Sequence, residues 1–430
     1  MTARPRPAAL ATGPDALPLP DRTAGPYRAE AGLGVADFLR RCERLRDGAA
    51  LPFHGSAWLS AWLATLGVSD GRQPLLVAVR HRHSGADAAL LPLVRQRRAG
   101  LWWVEFADAG VVDYNAPLLA ADWAGSLRQP DAARHLWAAL RAALRSGPGR
   151  NDVLHLVKML PCSLDEAGGQ PNPLALALPT QRCEMFGNQF SAQTDWESWR
   201  RSLDKRVRKE IERSWRVFTR SPDARFERVT DPARAQALFN TLAQQQSARM
   251  QGHASGYRLD GPAFGAFYRQ LLEDGLEDGL AGGPAGDLAG GLAGSAAGSP
   301  GRCQVVLTAL MDGPQVVSAM LGVANQHRYI GLRQSLGGPA WKNCSPGRLL
   351  DDQTASHLHA QGLRHFDFGI GDYAHKDALR MTPIPLRDAC VALSAWGVAA
   401  ALAWRARRSA KRQAWLVALV RLVKLRLRRV

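Results

Sequence analysis

Paired cysteines of the CxxC kind are missing from this sequence, and acids are in short supply. Its six cysteines, Cys42, Cys162, Cys183, Cys303, Cys344 and Cys390, are widely scattered. Neither a zinc knuckle nor a disulfide framework is signalled, and reduced thiols are expected. Cys344 has no His/Asp partner at a useful spacing, so it reads as a structural thiol rather than a nucleophile. His357 and His359 stand two apart on a helix and point in different directions, which makes a poor metal pair, and no metal is implied. No apolar run reaches the length of a membrane span. The opening MTARPRPAALATGPDALPLPDRTAGP lacks the continuous apolar core of a signal peptide, so residues 1–30 are expected to be a disordered leader and the protein cytoplasmic.

What is present is a globular composition, with 46% hydrophobic and 22% charged residues over 430 positions, enough for two domains. The net charge is +17 and it is concentrated. From Arg200 to Arg220 nine Lys/Arg face three acids, and from Arg405 to Arg429 ten Lys/Arg face none. Such stretches suit polyanions: nucleic acid, a nucleotide-bearing cofactor or an anionic membrane surface.

The first half reads as an α/β domain with a mainly antiparallel sheet. Helices are expected at Val35–Leu45 and Ala57–Leu66, a hairpin at Pro74–Arg80 and Ala88–Val94 with Gly85 in its turn, and a strand at Leu101–Ala107. Ala132–Leu144 reads as a helix and Asn151–Met159 as a strand. After the linker Asp165–Pro173, the apolar stripe Trp199, Leu203, Val207, Ile211, Trp215 and Phe218 predicts one long amphipathic helix with a basic polar face. Further helices are expected at Pro232–Met250 and Ala263–Leu272. Leu272 to Gly301 repeats DGL and AGG units and reads as a flexible insertion. Gln304–Met311 and Gln315–Val323 form a hairpin, and His327–Ser335 a third strand. The chain after Pro383 reads as helical.

The stretch Val323–Arg380 organises the rest. After the third strand, Gly337–Ala340 breaks the extended run. Ser345 is placed to cap a helix that carries Pro346 in its first turn and ends near Gly362. A helix N-terminus beside a glycine loop presents free N–H groups and a positive dipole end, so the Ser345–Gly347 turn is either an anion site or an ordinary capped helix. Arg364–Gly369 is a strand in which Asp367 faces away from Phe366 and Phe368. The loop that follows concentrates Asp372, Tyr373, His375 and Lys376. Transfer of an acyl group to an amine needs a proton acceptor, a charge stabiliser and a positioned pair of reactants. Asp372 and His375 are candidate acceptors and Lys376 a candidate stabiliser; the alternative is a structural Asp367 and a solvated Lys376.

The runs SPGRLL, HLHAQGLRHFDFG and GDYAHK resemble the C-terminal half of BioF2-like acyltransferases, members of the GNAT superfamily related to FemAB aminoacyl transferases and CelD-type polysaccharide proteins. The resemblance covers Trp199–Arg380 and reaches weakly back to Phe53. It implies two GNAT-like α/β domains, at 31–185 and 186–390 (with an insertion at 273–301), followed by a basic amphipathic tail at 391–430. It implies an acyl-CoA donor held near Leu332–Gly347, with Arg333, Ser345, Gly347 and Arg348 in contact, and it supports Asp367 and Lys376 in catalysis. Asp113-Tyr114 resembles the family's D-Y motif facing an interdomain cleft, though a structural turn is the alternative. Arg208, Arg249 and Tyr373 complete the expected substrate contacts. The sequence departs from the family at Gln245-Gln246, where relatives show histidine, and at His375, where an aromatic residue is usual. The expected acceptor is an amine or hydroxyl of a glycan or envelope precursor. The alternatives are an aminoacyl-tRNA donor and a non-catalytic scaffold. The tail, basic and rich in Leu, Val and Trp415, can lie on the inner face of an anionic membrane, cover the core or bind RNA.

Overall fold

The computed structural model describes residues 25–45, 51–126, 131–147, 149–164, 169–250, 257–280, 303–326, 328–370 and 379–409. Its first strands are β1 (Tyr27–Ala31), β2 (Gln73–His81), β3 (Asp87–Arg98), β4 (Leu101–Phe106), β5 (Leu118–Leu119), β6 (Val153–Met159) and β7 (Thr180–Ser191). They are followed by β8 (Ala224–Val229), β9 (Gln304–Asp312), β10 (Gln315–Ala324), β11 (Arg328–Leu336), β12 (His365–Asp367) and β13 (Thr382–Ala392). All thirteen belong to one sheet in the order β1-β2-β3-β4-β6-β13-β7-β12-β11-β10-β9-β8, with β5 pairing with β3. Pairing is antiparallel except for β4 with β6 and β11 with β12.

The two halves therefore share strands. The expected boundary at 185/186 falls inside β7, whose partner on one side is β12 and on the other β13. The boundary at 390/391 falls inside β13, which returns from the second half to pair with β6 of the first. A helix was expected after Pro383, and β13 is a strand there. Pro383 and Pro385 argue against a central strand, since they donate nothing to a ladder. They are accommodated because β13 pairs only with β7 over Thr382–Pro385, and β6 joins from Arg387 onward.

Three apolar layers cover the sheet. The helix Ala132–Ser146 packs Leu136, Leu140 and Leu144 onto one face of the first half. Lys205–Phe218 and Pro346–Ala360 cover one face of the second half with Val207, Ile211, Phe218, Leu349 and Leu350. The third layer lies between the halves, where Ser56–Ala64 meets Pro262–Leu280 and Trp58 packs edge-on against Phe267 at 5.0 Å. The long basic helix expected from Trp199 is two helices, Trp196–Ser202 and Lys205–Phe218, because Asp204 accepts from the Arg206 N–H and starts a new one.

Pro262–Leu280 runs past Leu272 into the segment expected to loop out. Leu271, Leu272 and Leu276 are buried, and Gly275 lets the helix press onto β9 where a Cβ would overlap Val305. The loop between β4 and β5 is pinned from two sides. Asp108 is paired with the buried Lys158 ammonium at 2.8 Å and accepts from Asn115 Nδ2 at 3.0 Å. His54 accepts from the Leu51 N–H at 3.2 Å and donates to the Ala116 carbonyl at 3.0 Å. Burial pushes the His54 imidazole down to about 4, the bond to Ala116 opposing only part of that shift.

Two stability measurements check this packing. In an exposed helix Gly→Ala gains about 1 kcal/mol. At Gly275 overpacking against Val305 costs about 1–3 kcal/mol and wins, so Gly275→Ala lowers the urea midpoint. His54 is neutral when folded and titrates at its ordinary 6.5 when unfolded, so its contribution is intact above pH 6.5 and is lost as pH falls through 6.5 towards 4. The stability gap between the wild type and His54→Gln narrows over that window in denaturant titrations at stepped pH.

Candidate functional site

The parallel pair β11–β12 lasts for three residues, Arg328 opposite His365, Tyr329 opposite Phe366 and Ile330 opposite Asp367. Beyond them β12 ends and β11 continues to Leu336. At the parting point β11 carries a bulge: Leu321 faces Arg333 while Gly322 faces Gly331, leaving Leu332 as the extra residue. From Gly331 to Leu336, β11 is paired with β10 on one edge and with no described strand on the other.

On one face of this stretch of β11 stands the helix Pro346–Ala360. Ser345 occupies its N-cap position, as expected, but in a left-handed conformation (φ 46°, ψ 58°) with no side-chain capping bond. The first-turn amides of the helix are therefore not capped by the Ser345 side chain. Gln334 steadies it, donating to the Gly347 carbonyl at 2.9 Å and to Asp351 at 2.7 Å. Gly347 leaves little room, since a Cβ there would lie 3.2 Å from Gln334 Oε1 and 3.3 Å from Leu336. Arg348 pairs with Glu210 of Lys205–Phe218 at 2.7 Å, so the basic helix flanks the mouth. Arg208 on that helix is half-buried, its Nε without an acceptor, while Lys205, Arg206, Lys209 and Arg213 are exposed.

Arg333 does not join this group. The bulge at Leu332 resets the alternation and sends Arg333 to the opposite face. There it is buried, donates to Gln246 Oε1 at 2.7 Å and lies over the rings of Tyr268 (4.8 Å) and Phe239 (5.3 Å). Gln245 and Gln246, read as departures from the family, instead anchor the Pro232–Met250 helix to β10 and β11. Arg249 is exposed in the last turn of that helix.

On this second face the halves meet. Asp367 is fully buried. Its Oδ1 accepts from the Gly369 N–H at 2.8 Å, and its Oδ2 accepts a short bond from the Tyr114 hydroxyl. Tyr114 reaches it from the first half, passing over Gly187, where any Cβ would overlap the phenol. Asp113 lies beside Gly369, which adopts φ 86° at the exit from β12. Burial, then the Asp367 charge, holds the Tyr114 phenol well above its ordinary value, so it stays a proton donor. The structure thus brings Asp113, Tyr114 and Asp367 together. Asp372, Tyr373, His375 and Lys376 lie outside the described residues.

A cavity of about 600 Å³ opens on the same face, one step along from Asp367. Its floor is Arg328, Gln189, Ser191 and His365, and its walls are Leu160–Leu164 and Pro383–Pro385. It exists because β6 and β13 do not pair there. Ser191 Oγ and His365 Nδ1 are 2.7 Å apart across the β7–β12 register. Arg328 donates to Gln189 Oε1 at 2.5 Å and to the Leu164 carbonyl at 2.6 Å. None of these four was singled out from sequence. His365 shares the parity of Asp367 in R-H-F-D-F, which was the available signal. Among the described residues no cluster of His, Cys, Asp and Glu gathers that could hold a metal ion.

Residues 205–377 match the family model described as an acetyltransferase (GNAT) domain. No curated protein matches the chain in sequence. Among solved structures, FemX is similar over 84% of this chain and 96% of its own, with 9% identity and a TM-score of 0.53. A tandem GNAT protein from the clavulanic acid biosynthesis pathway aligns over 86% and 99% at 11% identity, with a TM-score of 0.45. The C-terminal domain of a putative lysylphosphatidylglycerol synthetase from Agrobacterium fabrum aligns over 85% and 95% at 12%, with a TM-score of 0.44. The likeness to FemX is the one of these three that bears on the fold, and it extends beyond the matched domain into both halves. Residues 205–377 thus match a GNAT domain, and the fold of the chain as a whole is similar to that of FemX.

Proposed function

We propose that the chain transfers an acyl group from acyl-CoA to an amine or hydroxyl on a glycan or envelope precursor. Transfer of an acyl or aminoacyl group is the class that the GNAT domain supports. The observation that carries the finer reading is the end of the β11–β12 pairing at Asp367, with the Pro346–Ala360 helix start on one face of β11 and Asp367 bonded to Tyr114 on the other. A diphosphate at Ser345–Gly347, flanked by Arg348 and Arg208, would lay a pantetheine-length arm along β11 beyond the end of β12. The thioester would emerge near Gly331 and Gly369. The polar floor of the cavity, with Arg328, Gln189, Ser191 and His365, offers the donors and acceptors that a hydroxyl-rich acceptor needs.

In this reading Asp367 and Tyr114 are positioning residues. Both carboxylate oxygens are engaged and neither side chain is exposed. They hold the β12 exit against the first half, so that donor and acceptor meet in a fixed geometry. Lys376 would stabilise the tetrahedral oxyanion, and Asp372 or His375 would take the amine proton. A second reading, with an aminoacyl-tRNA donor, is favoured by the exposed basic side chains beside the helix mouth.

Three measurements test this. Native mass spectrometry of the purified protein is expected to show bound CoA; co-purifying RNA with steep salt dependence transfers the assignment to the tRNA donor, and neither ligand together with no turnover of acyl-CoA favours a scaffold. Gly347→Val, whose side chain would push into Gln334 and Leu336 and shift the helix start, raises the CoA Kd about tenfold or more, a loss of roughly 1.4 kcal/mol, while acceptor binding is unchanged. Tyr114→Phe removes one bond to a buried carboxylate and lowers kcat by about ten- to a hundredfold with a smaller change in donor KM; an effect confined to KM would contradict a positioning role.

A further inference from the structure

After β13 the chain forms a helix over residues 395–409. One side of it is fastened to the sheet. Ala401 and Trp404 pack with Val153, Cys390 and Trp103, and Gly397 presses against the Asp152 backbone. Arg405 donates to the Cys390 carbonyl at 3.1 Å, and Arg408 pairs with the buried Asp388 at 2.7 Å. The helix cannot roll without breaking these bonds.

Its outward side is apolar. Ala395, Val398, Ala399, Leu402, Ala403 and Ala406 follow one another at i, i+3, i+4, i+7, i+8 and i+11, and all are exposed. Val398 is 47% exposed, Leu402 57% and Trp396 71%, and these three are among the few large apolar side chains left in water. A helix on the surface of a globular domain presents a polar face outward, and this one does the reverse. Trp396 and the exposed Arg407 flank the stripe on one side and Arg405 on the other. From Arg405 to Arg429 the sequence adds ten basic residues and no acid.

We propose that this helix docks the protein on an anionic lipid bilayer. An apolar stripe carrying Val398 and Leu402, edged by Trp and Arg and followed in sequence by ten basic residues without an acid, has the layout of a helix that lies in the plane of a membrane interface. No helix among the described residues is long and apolar enough to cross a membrane, so the helix lies on the surface. A second copy is the poorer occupant, because a self-complementary contact would bring two such basic runs together. RNA would use the charge and leave Val398 and Leu402 without a role. The inference does not depend on the transfer chemistry.

Flotation of the full-length protein with vesicles tests it. Binding is expected to vesicles rich in phosphatidylglycerol, to be weak with phosphatidylcholine alone, and to fall in high salt. The double variant Val398→Glu/Leu402→Glu, both at exposed positions, is expected to weaken binding at least tenfold while the circular dichroism spectrum and melting curve stay unchanged. Charge reversal at Arg407 weakens it less. Three results would each overturn the proposal: undiminished flotation of the double variant, equal binding to neutral vesicles, or a dimer in light scattering that the double variant abolishes.

Discussion

A carboxylate buried out of reach of water must have both oxygens satisfied, and Asp367 meets this demand with one bond from each half of the molecule. Gly369 supplies the first from the turn that ends β12. Tyr114 supplies the second from a loop more than 250 residues earlier. That loop is itself fixed by Asp108, Lys158 and His54. The chain of buried polar contacts therefore runs from the first half into the exit of β12, where its pairing with β11 ends. Loss of any member leaves an unpaired buried group, which makes the junction rigid.

The shared sheet has the same consequence on a larger scale. β13 joins β6 to β7, so the halves cannot separate by a hinge without breaking strand ladders. Where β6 and β13 do not yet pair, two prolines and the Leu160–Leu164 segment leave a space, and the cavity fills it. Asp367 lies at the end of β12 beside this cavity, in register with Gln189 of its floor. Donor and acceptor would approach from opposite faces of one rigid sheet.

Local elements were legible in the sequence. The β2–β3 and β9–β10 hairpins, the Pro346 helix and the parity of Asp367 follow from turn residues and period-two or helical patterning. That the Asp113-Tyr114 loop faces the other half follows from resemblance alone, and its bond to Asp367 has no signal in the sequence, since nothing local in residues 111–120 says what lies opposite. What escaped was set by tertiary contacts. Arg333 was assigned to the donor side because a bulge at Leu332 has no local signature. β13 was read as helix because its prolines are tolerated only where one neighbour is absent. Leu272–Leu280 was read as a loop because its glycines suggest flexibility, whereas Gly275 serves close packing on Val305. The cavity was invisible because its residues come from β7, β11, β12, β13 and the segment after β6.

In the proposed reading, the stretch of β11 beyond β12 and the start of the Pro346–Ala360 helix form one donor site. Hydrogen–deuterium exchange of the intact protein with and without CoA reads it directly. The account predicts that CoA slows exchange at the amides of Gly347, Arg348 and Leu349 and along Gly331–Leu336 together. Protection confined to the cavity strands β7 and β13, or no protection at the helix mouth, would contradict it.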